Sequence, residues 1–509
     1  MVDPRTPVVV GVGQFTERID DPDYRGMSSV ALATEAVRAA LADTGVAPAA
    51  VAEAIEVFAG LRQFEICTPM PPPLGASDNY VRSVARRVGA NPARAVLEPI
   101  GGNGPQKLMT EFAGEIAAGA IEVALILGSE NGSTLKTFAN RPDADKPDFT
   151  ERVGGQLDDR GYGYEQYMSE YTVKHGLTGA PVQYGLLDNA RRAKLGLSVD
   201  EYRRQMAELF APFVKVAAKN PFSASPVERS VDELVTVTAE NRMICDPYPR
   251  LMVARDQVNQ GAAAVVMSVA AARRLGVPEE NWVYLRGHAD LVEQDLLLRA
   301  DLGASVSAEL AVTEALRVAG IGLDDVATFD LYSCFPFPVF TVCDTMGLAA
   351  DDPRGLTLTG GLPFFGGPGN AYSLHGIAET VCEMRERPGT FGLVGANGGV
   401  MTKYSVGIYS TDPADWAVDR SKELQAQIAA LPEVAVTRDV DTTGVIETYS
   451  VRYDWPETTG IIIGRLDDGS RFMATSTDAD LVALLSGGEP LGQRISMTAV
   501  DGINQARLA

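Results

Sequence analysis

A tyrosine and a cysteine stand two positions apart in the stretch Phe329-Asp-Leu-Tyr-Ser-Cys-Phe-Pro336. If Asp330 to Phe335 is extended, Tyr332 and Cys334 share a face, because strand side chains alternate with period two. A phenol beside a thiol can move protons or supply a nucleophile. The residues alone leave a second reading open, in which Cys334 is a small buried hydrophobe and Tyr332 an interface aromatic. The apolar run before the polar triplet, stopped by Pro336 and Pro338, fits a buried strand that delivers side chains at its carboxyl end. Two glycine-rich turns complete the set: Glu98-Pro-Ile-Gly-Gly-Asn-Gly104 and Thr359-Gly-Gly-Leu-Pro-Phe-Phe-Gly-Gly-Pro-Gly-Asn370.

The chain that must position these residues has 509 of them, too many for one core. A hydrophobic content of 46% predicts a folded α/β protein throughout. With 67 acidic against 44 basic side chains the net charge is −23, a field that repels phosphate backbones and anionic lipid. Nucleic acid and membrane surfaces are therefore not the expected partners, although a local cluster of arginine or backbone N–H groups could still take an anionic cofactor. Five scattered cysteines without a C-x-x-C pair fit reduced thiols, and only three histidines argue against a histidine-rich metal centre. The N-terminus carries no apolar signal region and no run is long enough to span a bilayer, so a cytoplasmic location is expected.

In chain order, Pro7–Gly13 reads as a buried strand and Ser28–Thr44 as an amphipathic helix closed by Gly45. The Gly11-x-Gly13 pair lacks the third glycine of a dinucleotide loop. Strands are expected at 54–59, 95–99, 122–128 and 261–267, with a helix over 106–118 opened by Pro105. Residues 131–250 read as an inserted loop domain with helices over Tyr164–Lys174 and Pro181–Lys194. Thr34-Glu-Ala-Val-Arg38 returns as Thr313-Glu-Ala-Leu-Arg317, and Leu127-Gly-Ser-Glu130 as Val394-Gly-Ala-Asn397. Two copies of one strand–helix unit predict paired α/β layers with the glycine turns facing a shared site. The expected division is 1–130 with 251–280 as one half, 131–250 inserted, 281–412 as the other half, 413–434 as linker and 435–509 as a small barrel. That last segment shows short alternating strands (445–453, 460–466, 471–475, 494–500), an Asp-Gly hairpin signal at 467–469 and a helix between Asp478 and Leu485. Its eleven acidic residues, six arginines and absent lysine favour a docking or lid module of oligonucleotide/oligosaccharide-binding (OB) type over a nucleic-acid reader.

Taken together, residues 5–412 resemble the thiolase superfamily, and within it the sterol-carrier-protein-associated thiolases and thiolase-like proteins. The residues that carry this are the strand Val8 to Gln14, Asn259-Gln-Gly-Ala-Ala-Ala264, Asn220-Pro221 and the two glycine turns. The resemblance implies a duplicated αβαβα fold with an inserted loop domain, followed here by the all-β OB-like barrel. It also implies an edited active site. The family's nucleophilic cysteine, in its C-x-x-G setting, falls on Gly101, with Gly104 as the motif glycine. The G-H-P histidine falls on Gly367. The H-D-C-F block falls on Tyr332-Ser333-Cys334-Phe335, so its acid/base cysteine is kept as Cys334. The last family loop falls on Ala396-Asn397-Gly398-Gly399.

Without a thiolate at 101 the family's acyl-enzyme cannot form. The resemblance then implies a protein of lipid or sterol metabolism that binds coenzyme A or an acyl-CoA, and whether it catalyses a reaction is left open. Gly101, Gly104, Gly367, Asn397 and Gly398 are the expected ligand-binding residues, with the Gly101 and Gly398 N–H groups as donors to a thioester carbonyl, one such donor contributing ~3 kcal/mol in a dry site. Tyr332, Cys334 and His375 are the expected catalytic residues, His375 about two turns into its helix. The alternative activity is a retro-aldol cleavage of a β-hydroxyacyl-CoA with Tyr332 as base. A non-catalytic interaction scaffold is the third reading, and the family allows either a homodimer or a monomer.

Overall fold

The computed structural model describes residues 2–164, 168–453 and 457–509. Val8 and Val10 of the Pro7–Thr16 strand enter one core and Val9 between them another, as the strand's period of two requires, and a register shift between Val9 and Gly11 turns Val12 to the side of Val9. From that strand outward, one half runs Asn259–Ser268, Val123–Asn131, Val57–Leu61, Arg94–Glu98 and the short edge strand Asp158–Asp159. The other half runs Val283–Val292, Lys403–Ser410, Phe391–Gly398 and Val326–Leu331. Antiparallel pairing of Val8 with Tyr284 and Val9 with Val283 joins the two into one ten-stranded sheet.

The helices complete five layers. Leu108, Phe112 and Ile116 of the Gly104–Ala118 helix share the middle core with Leu374, Ile377 and Val381 of Tyr372–Glu386. Ala33, Val37 and Leu41 of Ser29–Asp43 cover one outer face. Ala308, Ala311 and Ala315 of Val306–Ala319 cover the other. The repeated Thr-Glu-Ala motif therefore lies on equivalent outer helices, and the mixed α/β duplicated fold expected from the sequence is the one present.

Several local expectations need correction. Ala54 ends a helix, Pro48–Ala54, and the strand begins only at Val57. Pro336 opens the Pro336–Met346 helix, a first-turn position where its missing N–H costs nothing. His375 lies in the first turn of Tyr372–Glu386, not two turns in. Of the helix expected over Tyr164–Lys174, Glu170–Lys174 is helical and residues 165–167 lie outside the described residues. The inserted domain also holds a helix the sequence reading passed over, Val199–Ala217, which buries Tyr202, Met206, Leu209, Phe210 and Phe213.

The C-terminal strands Thr443–Arg452, Thr459–Arg465, Arg471–Ser476, Arg494–Val500 and Ile503–Leu508 close a five-stranded barrel, since Thr443–Arg452 pairs with both Thr459–Arg465 and Arg494–Val500. The helix Ala479–Gly487, capped by Asp478, places Leu481 and Leu485 in its core. The barrel is built onto the inserted domain. Arg452 pairs with Cys245 across the sheet edge, Asn189 Nδ2 donates to Tyr449 O at 2.8 Å, and Arg192 meets Glu489 at 2.6 Å. Among the described residues, no helix is long and apolar enough to cross a membrane.

Candidate functional site

Tyr332 and Cys334 directly follow the Val326–Leu331 strand, and the chain bends at Cys334 and Phe335. Tyr332 N donates to Gly395 O at 2.9 Å, and Ala254 N donates to Cys334 O at 3.0 Å. Both side chains reach one cavity of about 1190 Å³ between the two halves and the inserted domain. Gly101, Gly367, Asn397 and Gly398 line the same cavity, so the two glycine turns do face a shared space. Gly104 and His375 are not among its lining residues. Gly104 opens its helix beneath Leu61. His375 is fully buried with Nδ1 2.7 Å from Gln14 Oε1, and burial alone pulls its pKa down to about 3.

The floor of the cavity is a cluster of neutral groups. Asn397 Nδ2 donates to the Tyr184 hydroxyl at 2.6 Å and lies 3.9 Å from Cys334 Sγ. Burial pushes the Cys334 thiol up to about 12 and carries the Tyr332 and Tyr184 phenols well above their usual range. All three stay protonated at neutral pH. Tyr184 comes from the Ala180–Leu195 helix of the inserted domain and stacks on Phe335 at 4.5 Å. The Tyr332 hydroxyl lies directly over Gly102, where a Cβ would collide with it. It makes no hydrogen bond to another described residue.

One expected donor is already engaged. The Gly101 N–H donates to Asn370 Oδ1 at 2.9 Å, and Asn370 Nδ2 donates to Arg62 O at 2.7 Å, so Gly101 does not present its N–H to a ligand. The side-chain space above Gly101 is also taken. A Cβ there would stand 2.5 Å from Asn103 Oδ1, and the residue's φ of +154° suits glycine.

Away from this floor the wall becomes cationic. Among the described residues, Lys136, Arg229, Arg242, Arg250 and Arg255 line the cavity against two carboxylates, Glu240 and Asp256. Arg242 donates to Met243 O at 3.2 Å and Arg250 to Glu240 O at 3.1 Å, so both spend their bonds on main chain. The nearest carboxylate to Arg229 is Glu233 at 4.0 Å. Arg255 has no hydrogen bond or ion pair from its side chain among the described residues, and burial followed by the Arg250 charge lowers its pKa. Five cations gathered on one wall make it locally positive in a protein of net charge −23. An anion entering the cavity would be drawn to that wall. The sequence reading missed these arginines and Tyr184 because they lie in the inserted domain or just after it. A run of four arginines from 229 to 255 in so acidic a chain was the available signal.

Comparison with known proteins bears on the family and the fold. Residues 423–502 match a family described as the additional C-terminal domain of thiolase-like protein type 1. The chain is similar, at 63% identity over 100% of both chains and a TM-score of 0.87, to the crystal structure of a monomeric SCP2-thiolase like protein type 1 from Mycobacterium smegmatis. It is similar in fold to an Ltp2-ChsH2(DUF35) aldolase, at 20% identity over 80% of this chain and 98% of that one, with a TM-score of 0.57. The dimeric peroxisomal thiolase of Saccharomyces cerevisiae matches at 13% identity over 81% of this chain and 99% of that one, with a TM-score of 0.59. No curated protein matches.

Proposed function

The chain belongs to the SCP2-thiolase-like proteins of type 1, and on that footing we propose that its central cavity binds coenzyme A or an acyl-CoA thioester without forming an acyl-enzyme. The observation that carries this reading is the group of four arginines, Arg229, Arg242, Arg250 and Arg255, of which only Arg229 reaches a carboxylate among the described residues (Glu233, at 4.0 Å), sharing one cavity with the neutral floor at Tyr332, Cys334 and Asn397. Guanidinium groups suit phosphates because they offer planar, permanently charged donor forks. The volume of about 1190 Å³ supports a ligand larger than most small-molecule sites hold. In this arrangement the arginines take the phosphates while Cys334, Asn397 and Tyr332 surround the acyl end. A protonated thiol does not attack a thioester, which supports binding over acyl transfer. Thioester recognition of this kind fits a role in lipid or sterol metabolism, and we read the protein as a monomer.

Calorimetric titration with coenzyme A, acetyl-CoA and dephospho-CoA tests this. Binding is expected, with saturation at a hundredfold over Kd raising stability by about 2.7 kcal/mol. No heat and no thermal shift with any of the three would overturn the reading and favour a scaffold. An acetyl adduct on any cysteine after acetyl-CoA treatment would restore acyl transfer.

A second reading, retro-aldol cleavage of a β-hydroxyacyl-CoA, is favoured by the bare Tyr332 hydroxyl against Gly102. Its raised pKa keeps Tyr332 protonated, so it suits handing its proton to the carbanion left when the carbon–carbon bond breaks and regaining the proton that the β-hydroxyl gives up as it becomes the carbonyl. Release of aldehyde or ketone, lost in Tyr332→Phe, would support this reading, and absence of product would remove it.

A further inference from the structure

Gly399, Val400 and Met401 have φ of +53°, +55° and +58°, three successive left-handed residues of which two carry side chains. A β-branched residue in that region is a backbone outlier, and it persists only when its surroundings hold it there. Gly399 and Val400 line the cavity, next to Asn397. Beyond the turn's own bonds from Thr402 N to Gly398 O and Gly399 O, each at 3.2 Å, two bonds tie it to side chains: Met401 N donates to Asn397 Oδ1 at 3.1 Å, and Arg299 Nη2 donates to Met401 O at 3.0 Å.

Arg299 is itself held from the barrel. Arg471, on the Arg471–Ser476 strand and fully buried, donates from Nη1 to Leu297 O and to Arg299 O, each at 2.7 Å. Its Nε and Nη2 meet Glu447 of the Thr443–Arg452 barrel strand at 2.8 and 2.7 Å. A second route leads from the barrel to the same asparagine. Thr448 Oγ1 donates to Leu186 O at 2.5 Å, and Asn189 Nδ2 donates to Tyr449 O at 2.8 Å. These bonds fix the helix that brings the Tyr184 hydroxyl to Asn397 Nδ2. Both ends of the Asn397 side chain are thus set by groups that the barrel holds.

We infer that the C-terminal barrel fixes the thiol end of the cavity, with Arg471 and Arg299 as positioning residues that hold the left-handed turn and, through it, Asn397 against Cys334. The inference rests on this cavity being the functional site, and it gives the barrel a task other than recognising a ligand of its own. Loss of either arginine frees the turn to relax to ordinary backbone angles. Asn397 then leaves Cys334, and the thiol opens to solvent.

Alkylation of the full-length chain by iodoacetamide at pH 8, followed site by site by peptide mass spectrometry, tests this without any ligand. Arg299→Met is expected to raise the Cys334 rate about tenfold while buried Cys343 stays at its wild-type rate. Arg299→Lys keeps a donor toward Met401 O and is expected to restore most of the protection. Arg471→Met should act as Arg299→Met does, and where it does not fold, the two Arg299 variants decide the matter. Arg494→Met, which cuts an exposed barrel pair with Asp467, should change nothing. A wild-type Cys334 rate in folded Arg299→Met overturns the inference, as does an equal rise at Cys343. Coenzyme A titration of the wild type is read separately, so a failure of binding is not confused with a failure of this coupling.

Discussion

The Gly101 N–H donates to Asn370 Oδ1, so the turn of one half is clasped by the turn of the other. This bond uses the donor that a thioester carbonyl would need, and it fixes Gly101 at a φ of +154°. Restoring a thiol at this position therefore fails for two reasons. Gly101→Cys is expected to lose about 1–3 kcal/mol of stability through backbone strain and the encounter with Asn103 Oδ1. It should form no acyl adduct with acetyl-CoA, even combined with Gly367→His. Denaturant melts and intact mass check both statements.

Arg255 should show the opposite pattern, weak for stability and strong for ligand. It is exposed on the cavity wall beside Arg250 and has no carboxylate partner among the described residues, so Arg255→Met removes one charge from a locally positive wall. The variant is expected to melt at or above the wild-type temperature. Coenzyme A should bind about tenfold more weakly, the loss of one charge-assisted hydrogen bond. Equal affinity for coenzyme A in calorimetry would place the phosphates elsewhere.

Two buried groups near each other set opposing pH dependences. Burial pushes Asp330 from 3.8 up to about 7, against hydrogen bonds from Thr357 and Thr359, and pulls His375 from 6.5 down to about 3. Between about pH 4 and 7 the folded chain keeps the Asp330 proton that the unfolded chain has lost, so stability falls as pH rises. Between about pH 3 and 6.5 the unfolded chain holds a proton on His375 that the folded chain refuses, so stability rises with pH. Over the shared window the two slopes cancel, each at most about 1.4 kcal/mol per pH unit. Asp330→Asn should gain about 1–3 kcal/mol at pH 8 and lose stability more steeply than wild type from pH 6.5 to 4.5. His375→Gln should leave the Asp330 slope uncompensated, so that stability rises as pH falls from 6.5 to 4.5. Parallel denaturation curves at pH 4.5, 6 and 8 would refute the pairing.

Tyr332→Phe should change stability by less than about 0.5 kcal/mol, since no bond to a described residue is lost and the ring contacts remain. A larger loss in chemical denaturation would reveal a bonded hydroxyl. Any effect on turnover is then free of a folding component.

Much of the fold was legible because it obeys local rules. The Ser28 cap, the doubled Thr-Glu-Ala helices, Pro105 in a first turn and the Asp467-Asp-Gly469 hairpin each announce one conformation. The last barrel strand, Ile503–Leu508, was missed because only two of its residues are buried. Val199–Ala217 was hidden by Pro212 and its charged face, although Ser198 and Glu201 form a capping box. Within the site, Tyr332, Cys334 and Asn397 sit where the family pattern put them. No local pattern could place Tyr184 against Asn397, 213 residues away, or reveal that Asn370 had claimed the Gly101 N–H. His375 looked functional by type alone, and its burial against Gln14 and Phe365 is a property of packing.

Arg471 lies far along the chain from the main-chain carbonyls it grips, 174 residues beyond Leu297. On the ribosome, everything that lines the cavity is therefore made before the segment that steadies it. Until those final strands emerge, the nascent chain carries an unfinished pocket whose loops are free to wander, and premature termination would leave it that way. A cell that interrupts translation late should accumulate a protein with nearly all of its mass and a slack ligand chamber, recognisable to proteases at the turn after Asn397.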